Sequence, residues 1–174
     1  MKTSMRALKF LLSCLVAGAL AGCASYHLGS ANGAVAGAKS IEVLPFNNQT
    51  QQPRLGATLT QSLRERLQTD ATYHLATHGD GDVVVTGVIR NYDRQGLGFL
   101  SRDVATPENY RVDVIVHVTA RERASGRLLL DKDVKGHTLV HIGADLASAE
   151  RQALPLLADD LAQNIAELLT EGAW

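Results

Sequence analysis

Residues 111–121 read RVDVIVHVTAR. Every second side chain is apolar: Val112, Val114, Val116, Val118 and Ala120 share one face, while Arg111, Asp113, Ile115, His117, Thr119 and Arg121 share the other. A period of two is the signature of a β-strand, whose successive side chains point to opposite sides. The stretch therefore predicts a sheet with one covered face and one largely polar face. Downstream, Arg123-Ala124-Ser125-Gly126 reads as a hairpin turn, and Leu128-Leu129-Leu130 with Val134 as the return strand, carrying Asp131, Lys132 and Asp133 on its outer side. Upstream, Asp80-Gly81-Asp82 turns the chain into Val83–Ile89, a β-branched run with too little polarity for an edge, hence a central strand. Between these two strands, the stretch from about Asp93 to Asn109 contains Gly96, Gly98 and Pro107 and is expected to be a loop.

Two helices supply the cover. Leu55, Leu59, Leu63 and Leu67 recur every four residues, with Pro53 suited to the first turn and Arg64, Glu65, Arg66 and Gln68 around the stripe. From about Ala144 to Leu169, a second stripe runs through Leu146, Ala149, Ala153, Leu157, Leu161, Ile165 and Leu168; Pro155 inside it is expected to kink or split the helix. Ahead of both, Ile41, Val43 and Leu44 lead through Pro45-Phe46 into Asn47-Asn48-Gln49-Thr50, a short strand closed by turn residues. The order β-α-β-β-β-α predicts an α+β two-layer sandwich, with two helices on one face of a four-stranded mixed sheet.

Outside this domain, at residues 39–174, the chain reads differently. Lys2, Arg6 and Lys9 precede an apolar run from Phe10 to Leu20, then Ala21-Gly22-Cys23. That is a signal-peptide layout, expected over residues 1–22, because 11 apolar residues fall short of the roughly 20 that span a bilayer. Leu20-Ala21-Gly22-Cys23 resembles the lipobox of bacterial lipoproteins, which implies a covalent diacylglycerol and an N-acyl chain on Cys23, a two-signal membrane anchor. Ala24 stands where Asp would retain such a protein at the inner membrane, so the outer membrane, periplasmic face, is the expected location. Residues 23–38 comprise this cysteine and a Gly-, Ala- and Ser-rich flexible tether. With Cys14 in the leader and Cys23 acylated, no thiol is left for a disulfide or a metal.

Charge and motifs narrow the chemistry. Without Lys2, Arg6 and Lys9, the 17 Lys plus Arg fall to 14 against 18 Asp plus Glu, a net charge of −4. No nucleic-acid footprint is present. His74 and His78, and His137 and His141, have four-residue spacing, but they fall in strand ends and loops, so no metal site is expected. Asp80 and Asp82 read as turn residues, and Asp159-Asp160 as a solvated pair. Neither a G-x-S-x-G elbow nor a phosphate-binding loop occurs, so no catalytic residues are assigned and an enzyme is not expected. One local basic group remains: Arg90, Arg94, Arg102 and Arg111, near Tyr92, Leu97, Phe99, Leu100 and Tyr110. Guanidinium forks beside apolar groups suit an amphiphilic anion; the bland alternative pairs them with Asp93, Asp103 and Glu108.

Several stretches together resemble the LptE family of lipopolysaccharide-assembly lipoproteins. They are Cys23-Ala24-Ser25-Tyr26-His27-Leu28-Gly29, then Ser40 through Thr50, Asp82 through Tyr92, Tyr110-Arg111-Val112 and Ser125-Gly126-Arg127. The resemblance implies a cofactor-free, non-enzymatic lipoprotein that plugs and helps assemble the outer-membrane β-barrel LptD and binds lipopolysaccharide during its export. The Pro-Phe-x-Asn strand is similar also to LpoB-like regulators of penicillin-binding proteins and to CsgG-like secretion lipoproteins. Against the first of these, about 15 tether residues reach only ~50 Å.

Overall fold

The computed structural model describes residues 39–70, 72–100, 103–141 and 145–171. The signal segment, Cys23, the tether and Arg102 lie outside the described residues. The elements are β1 (Ser40–Val43), β2 (Asn47–Asn48), α1 (Leu55–Thr69), β3 (His74–Leu75), β4 (Val83–Leu100), β5 (Asp103–Glu122), β6 (Leu128–His141) and α2 (Leu146–Glu171). Among the described residues they form one sheet in the order β3-β1-β4-β5-β6, with β2 also paired to β4. The pairs of β1 with β3, β1 with β4 and β2 with β4 are parallel, and β4-β5-β6 is an antiparallel meander. The α+β class, the two helices and the mixed sheet follow the sequence pattern.

The strand number does not, since six strands are present where four were expected. The two extra ones, β2 and β3, are two residues each. Segments that short carry no period to read. Asn47 and Asn48, which look like turn residues, align with Val88 and Ile89 and so prolong the edge that β1 begins.

A second correction concerns the expected loop from Asp93 to Asn109. Nearly all of it is strand: β4 runs to Leu100, β5 starts at Asp103, and Asp93 aligns with Asp113, Gln95 with Arg111 and Leu97 with Asn109. Gly96 lies opposite Tyr110, and Pro107 opposite Phe99, inside the ladder. Gly and Pro are tolerated in a two-stranded arm, where each strand has a free edge. A bulge between Ile89 and Asn91 leaves Arg90 as the extra residue and swaps the inward positions from odd to even numbers.

The core is the covered face. Val112, Val114, Val116, Val118 and Ala120 are buried, as are Ile41, Val43, Val83, Val85 and Ile89 beside them. Against them lie Leu55, Leu59, Leu63 and Leu67 of α1 and Leu157, Leu161, Ile165 and Leu169 of α2, all at 0–1% exposure. Each such side chain contributes about 1.5–3 kcal/mol of transfer free energy. Leu168 is only partly buried and Leu169 takes the inward place, because the stripe drifts with a 3.6-residue period. Helix α2 is continuous through Pro155, which faces solvent on the outer side. Pro53 lies just before α1, and Arg54, in the left-handed region at φ 69, is its N-cap.

Two glycines set the packing distance between layers. A Cβ on Gly87 would fall 1.7 Å from Phe46 Cε1, so the Phe46 ring lies directly on the β4 backbone. A Cβ on Gly136 would fall 2.5 Å from Leu161 Cγ, so α2 seats on β6 at that point. Thr60 completes the turn between β1 and α1. Its hydroxyl donates to the Gly56 carbonyl at 2.7 Å and accepts the Phe46 amide at 3.0 Å.

Candidate functional site

Of the four arginines singled out from sequence, the three among the described residues, Arg90, Arg94 and Arg111, do not converge on one spot. The alternation of β4 and β5 decides where each one goes. Arg111 precedes buried Val112 and lies on the open face of the sheet, where its Nε donates to both Asp113 oxygens at 3.0 and 3.1 Å. Arg90, in the bulge, reaches Asp133 of β6 with Nη1 3.5 Å from Oδ1. At ~3.3 Å per residue, Arg90 and Arg111 stand roughly 15 Å apart along the ladder. Arg94 aligns with buried Val112 and therefore faces the helices. Arg102 lies outside the described residues.

Arg94 meets Glu150 of α2. Its Nη2 donates to Oε2 at 3.3 Å, and its Nε lies 2.5 Å from Oε1. That second contact is close but poorly aligned, so Oε1, although buried, makes no hydrogen bond and is held by charge alone. The same guanidinium stacks over Tyr92, 5.3 Å from the ring centre. Burial pushes the Tyr92 phenol above its ordinary value, and the nearby Glu150 carboxylate adds to the rise while Arg94 works against it. Sequence reading missed Glu150, although a signal was present. It is one turn from Leu146 and from Leu154 on the buried side of α2, and a carboxylate on an apolar stripe calls for a cation.

Arg90, Arg94 and Arg111 are thus paired with Asp133, Glu150 and Asp113, and not with the Asp93, Asp103 and Glu108 of the bland alternative. The open face is mixed in charge. His117 sits between two carboxylates, with Nε2 2.9 Å from Asp131 and Nδ1 2.7 Å from Asp133. His137 and His141 are both on β6, whereas His74 is on β3 and His78 beyond its end. Among the described residues no group of three or more His, Cys, Asp or Glu side chains is placed to hold a metal ion. Asp82 is a fastener, not a ligand. It accepts the Ser40 amide at 2.9 Å and the Ser40 hydroxyl at 2.7 Å, and these bonds, the backbone one first, hold its carboxyl below the usual range.

Between the Gln49–Gln52 loop and Arg90–Arg94 of β4 lies an open polar groove of roughly 560 Å³. Asn48 fixes its loop side: the side-chain amide donates to the Gln52 carbonyl at 2.7 Å, and its oxygen accepts the Thr50 amide and hydroxyl at 3.0 and 2.7 Å. The Gln49 amide makes the last bond to the sheet, to the Ile89 carbonyl at 3.0 Å. Past that bond β4 and β5 continue alone on this side. On the other, β6 ends where His141 aligns with Asn109, the partner of Leu97, so the tip from Gly98 to Pro107 projects as a two-stranded arm with no neighbouring strand among the described residues. Among those residues no helix is long and apolar enough to cross a membrane.

Comparison with known proteins gives the same fold and one family. The structure of the hypothetical protein CT253 from Chlamydia trachomatis is similar at a TM-score of 0.55 and 11% identity, over 76% of this chain and 95% of that one. A putative lipoprotein from Caulobacter crescentus CB15 gives 0.51 at 11% identity, over 73% and 88%. Protein XCC0632 from Xanthomonas campestris gives 0.50 at 12%, over 76% and 88%. At such identities the likeness establishes the fold alone. No curated protein matches the sequence. A family model described as "LptE: Lipopolysaccharide-assembly" matches residues 38–169, which takes in every strand and nearly all of both helices. With that match over most of its length, this chain belongs to the LptE family of lipopolysaccharide-assembly proteins.

Proposed function

We propose that the protein is an outer-membrane lipoprotein, acylated on Cys23 after removal of residues 1–22, with residues 23–38 as tether and 39–174 as the working domain. It faces the periplasm and serves the lipopolysaccharide translocon as a non-catalytic subunit. Its partner is an LptD-like β-barrel, which it plugs and helps to assemble, and it binds lipopolysaccharide in transit. The observation that carries this reading is the family match over residues 38–169. The projecting β4–β5 arm, whose strands have no further neighbours among the described residues, agrees with a domain that works through surfaces offered to a partner.

Arg90 and Arg111 are the cations on the open face that the proposal assigns to lipopolysaccharide. Each must exchange a carboxylate of this chain for a phosphate or carboxylate of the ligand, and such half-exposed pairs are weak enough to exchange. Arg94, committed to Glu150 on the helix side, supports the arm.

Purification from detergent-solubilised outer membrane tests the partner. Recovery of a large β-barrel protein in fixed proportion is expected, and recovery without one sinks the reading. Charge reversal at Arg90 together with Arg111 tests the ligand: weaker lipopolysaccharide binding, more so at low salt, is expected. Unchanged affinity at low and high salt removes both residues from the site.

A further inference from the structure

The sheet has two long edges, and this molecule treats them differently. On β6, the outward His137 amide donates to Asp160 Oδ2 at 2.9 Å, and the outward Lys135 carbonyl accepts from Asn164 Nδ2 at 2.9 Å. Both side chains come from α2, so that edge is closed where a foreign strand would begin to pair. On β4, the outward groups are met by β1 and β2 only as far as Ile89. Val85 and Ile89 turn their carbonyls to that side. Carried through the bulge at Arg90, the alternation puts the outward amides and carbonyls on Tyr92, Arg94 and Gly96. Among the described residues no strand pairs with them.

We propose that this outer edge of β4, from Asn91 to Gly98, is a strand-docking edge that an extended polar segment of the barrel partner joins as an added strand. The proposal rests on the partner reading above. Three features of the edge favour such an occupant. The groove between Gln49–Gln52 and Arg90–Arg94 lies in the slot that the next strand of the sheet would fill. Its loop wall presents three glutamines, amides that match a peptide backbone in both donor and acceptor. Beside it Arg90 is answered by Asp133 and Arg94 by Glu150, Asp93 accepts the Gln95 side-chain amide at 3.3 Å, and Gln95-Gly96-Leu97-Gly98 carries no charge. Exposed edges ordinarily defend themselves with charge, proline or cover. Here the defence stops at Arg94. Backbone pairing supplies affinity in such additions, and the side chains alternating along the edge supply selectivity.

Photo-crosslinking of the full lipoprotein in intact cells tests this. A photoreactive residue placed singly at Asn91, Asp93, Gln95 or Leu97 is expected to give adducts to one segment of the barrel protein, mapped by mass spectrometry to neighbouring positions two residues apart. The same residue at Leu156, exposed on α2, is expected to give none. As a second readout, hydrogen exchange of the peptide covering residues 91–98 is expected to slow at least about tenfold in the barrel complex relative to the free lipoprotein. Adducts only to residues 23–38 of this chain, only to a second copy, or only to lipopolysaccharide would overturn the proposal. So would unchanged exchange in a complex that still co-purifies, which would leave the barrel partnership standing. Purification without any barrel protein would remove both.

Discussion

The edge of β6 and the outer edge of β4 expose the same kind of backbone, yet one is met by helix side chains at Lys135 and His137 and the other has no partner strand past Ile89 among the described residues. What separates them is the reach of the neighbours, not strand propensity. Helix α2 lies along β6 because Leu161 fits over Gly136, and that seat brings Asp160 and Asn164 to the strand. Strand β2 ends after two residues because the chain turns at Asn48, whose own side chain caps the turn. One edge is closed by packing, and the other is left open by a turn. The largest expected effect attacks the packing. Leu161→Ala removes a fully buried side chain at the seat and is expected to cost about 2–5 kcal/mol, read by urea unfolding. A loss below about 1 kcal/mol would mean that α2 settles on β6 without this contact, and the proposed origin of the closed edge would be wrong.

Next in size is direct removal of the cover. Asp160→Ala with Asn164→Ala leaves the His137 amide and the Lys135 carbonyl to water. Two hydrogen bonds at about 1 kcal/mol each set the expected loss of stability at about 2 kcal/mol. The more telling readout is association. With its edge uncovered the double variant is expected to dimerise at concentrations where the parent stays monomeric, seen by sedimentation. If the variant loses stability but stays monomeric, the two side chains hold the helix and do not guard the edge.

The sequence showed most of one layer and half of the other. Strand β5 was readable because a strand covered on one face must alternate, and Val112 to Ala120 do so without a break. Helix α1 was readable from four leucines at one spacing, all of them on its buried side. The arm was hidden. Gly96, Gly98 and Pro107 carry the chemistry of turns, so the stretch reads as a loop although they stand in a ladder. The arginines were visible as charges, but their directions were not. A bulge at Arg90 shifts the parity, and no local pattern announces a bulge, so Arg94 turned toward the helices and Arg90 and Arg111 toward the open face. The carboxylates that answer them come from β6 and α2 and from one neighbour two residues along β5, and sequence distance ranks the first two poorly.

A smaller effect is expected at the root of the open edge. Arg94→Ala strips the cation from Glu150, whose side chain is 10% exposed. Losing one partner of a fully buried pair costs about 3–5 kcal/mol, but Arg94 is 45% exposed, which brings the expected loss to about 1–2 kcal/mol. Glu150→Gln is expected to recover part of it, because the neutral amide no longer needs a counter-charge. A double-mutant cycle over the two positions measures the coupling. Additive losses would show that the contact does not hold the arm to α2, and the bare edge would then owe its position to the ladder with β5 alone.

The paired half of the β4 edge offers the finest test, through protons. Asp82, at the start of β4, accepts the amide and hydroxyl of Ser40 and so fastens β1 beside Val83–Val85. Those bonds favour the ionised carboxyl and hold it below its ordinary value. The sign follows from linkage. A group whose folded value is depressed stabilises the fold fully above its unfolded value, near about 4, and that contribution fades as the pH falls through the lower folded value. Asp70, Glu122 and Asp145 are lowered in the same direction and add to the same acid limb. Asp82→Asn is therefore expected to lower the melting temperature slightly at pH 7 and to flatten its decline between about pH 5 and pH 2. Ser40→Ala removes the hydroxyl, which donates to Asp82 Oδ2 and also accepts the Asp82 amide at 2.9 Å; it is expected to lower the melting temperature too but to flatten the acid decline less, since the Ser40 amide still holds the carboxylate. Hydrogen exchange at the Leu44 amide, which donates to the Val85 carbonyl at 3.0 Å, is the local readout, as Leu44 and its neighbours must release that edge before β4 is bared along its whole length. If acid opens the covered half of β4 no sooner in Asp82→Asn than in the parent, then β1 is held by its ladder and its buried Ile41 and Val43. The division between closed and open edge would then be fixed by burial and not by this fastening.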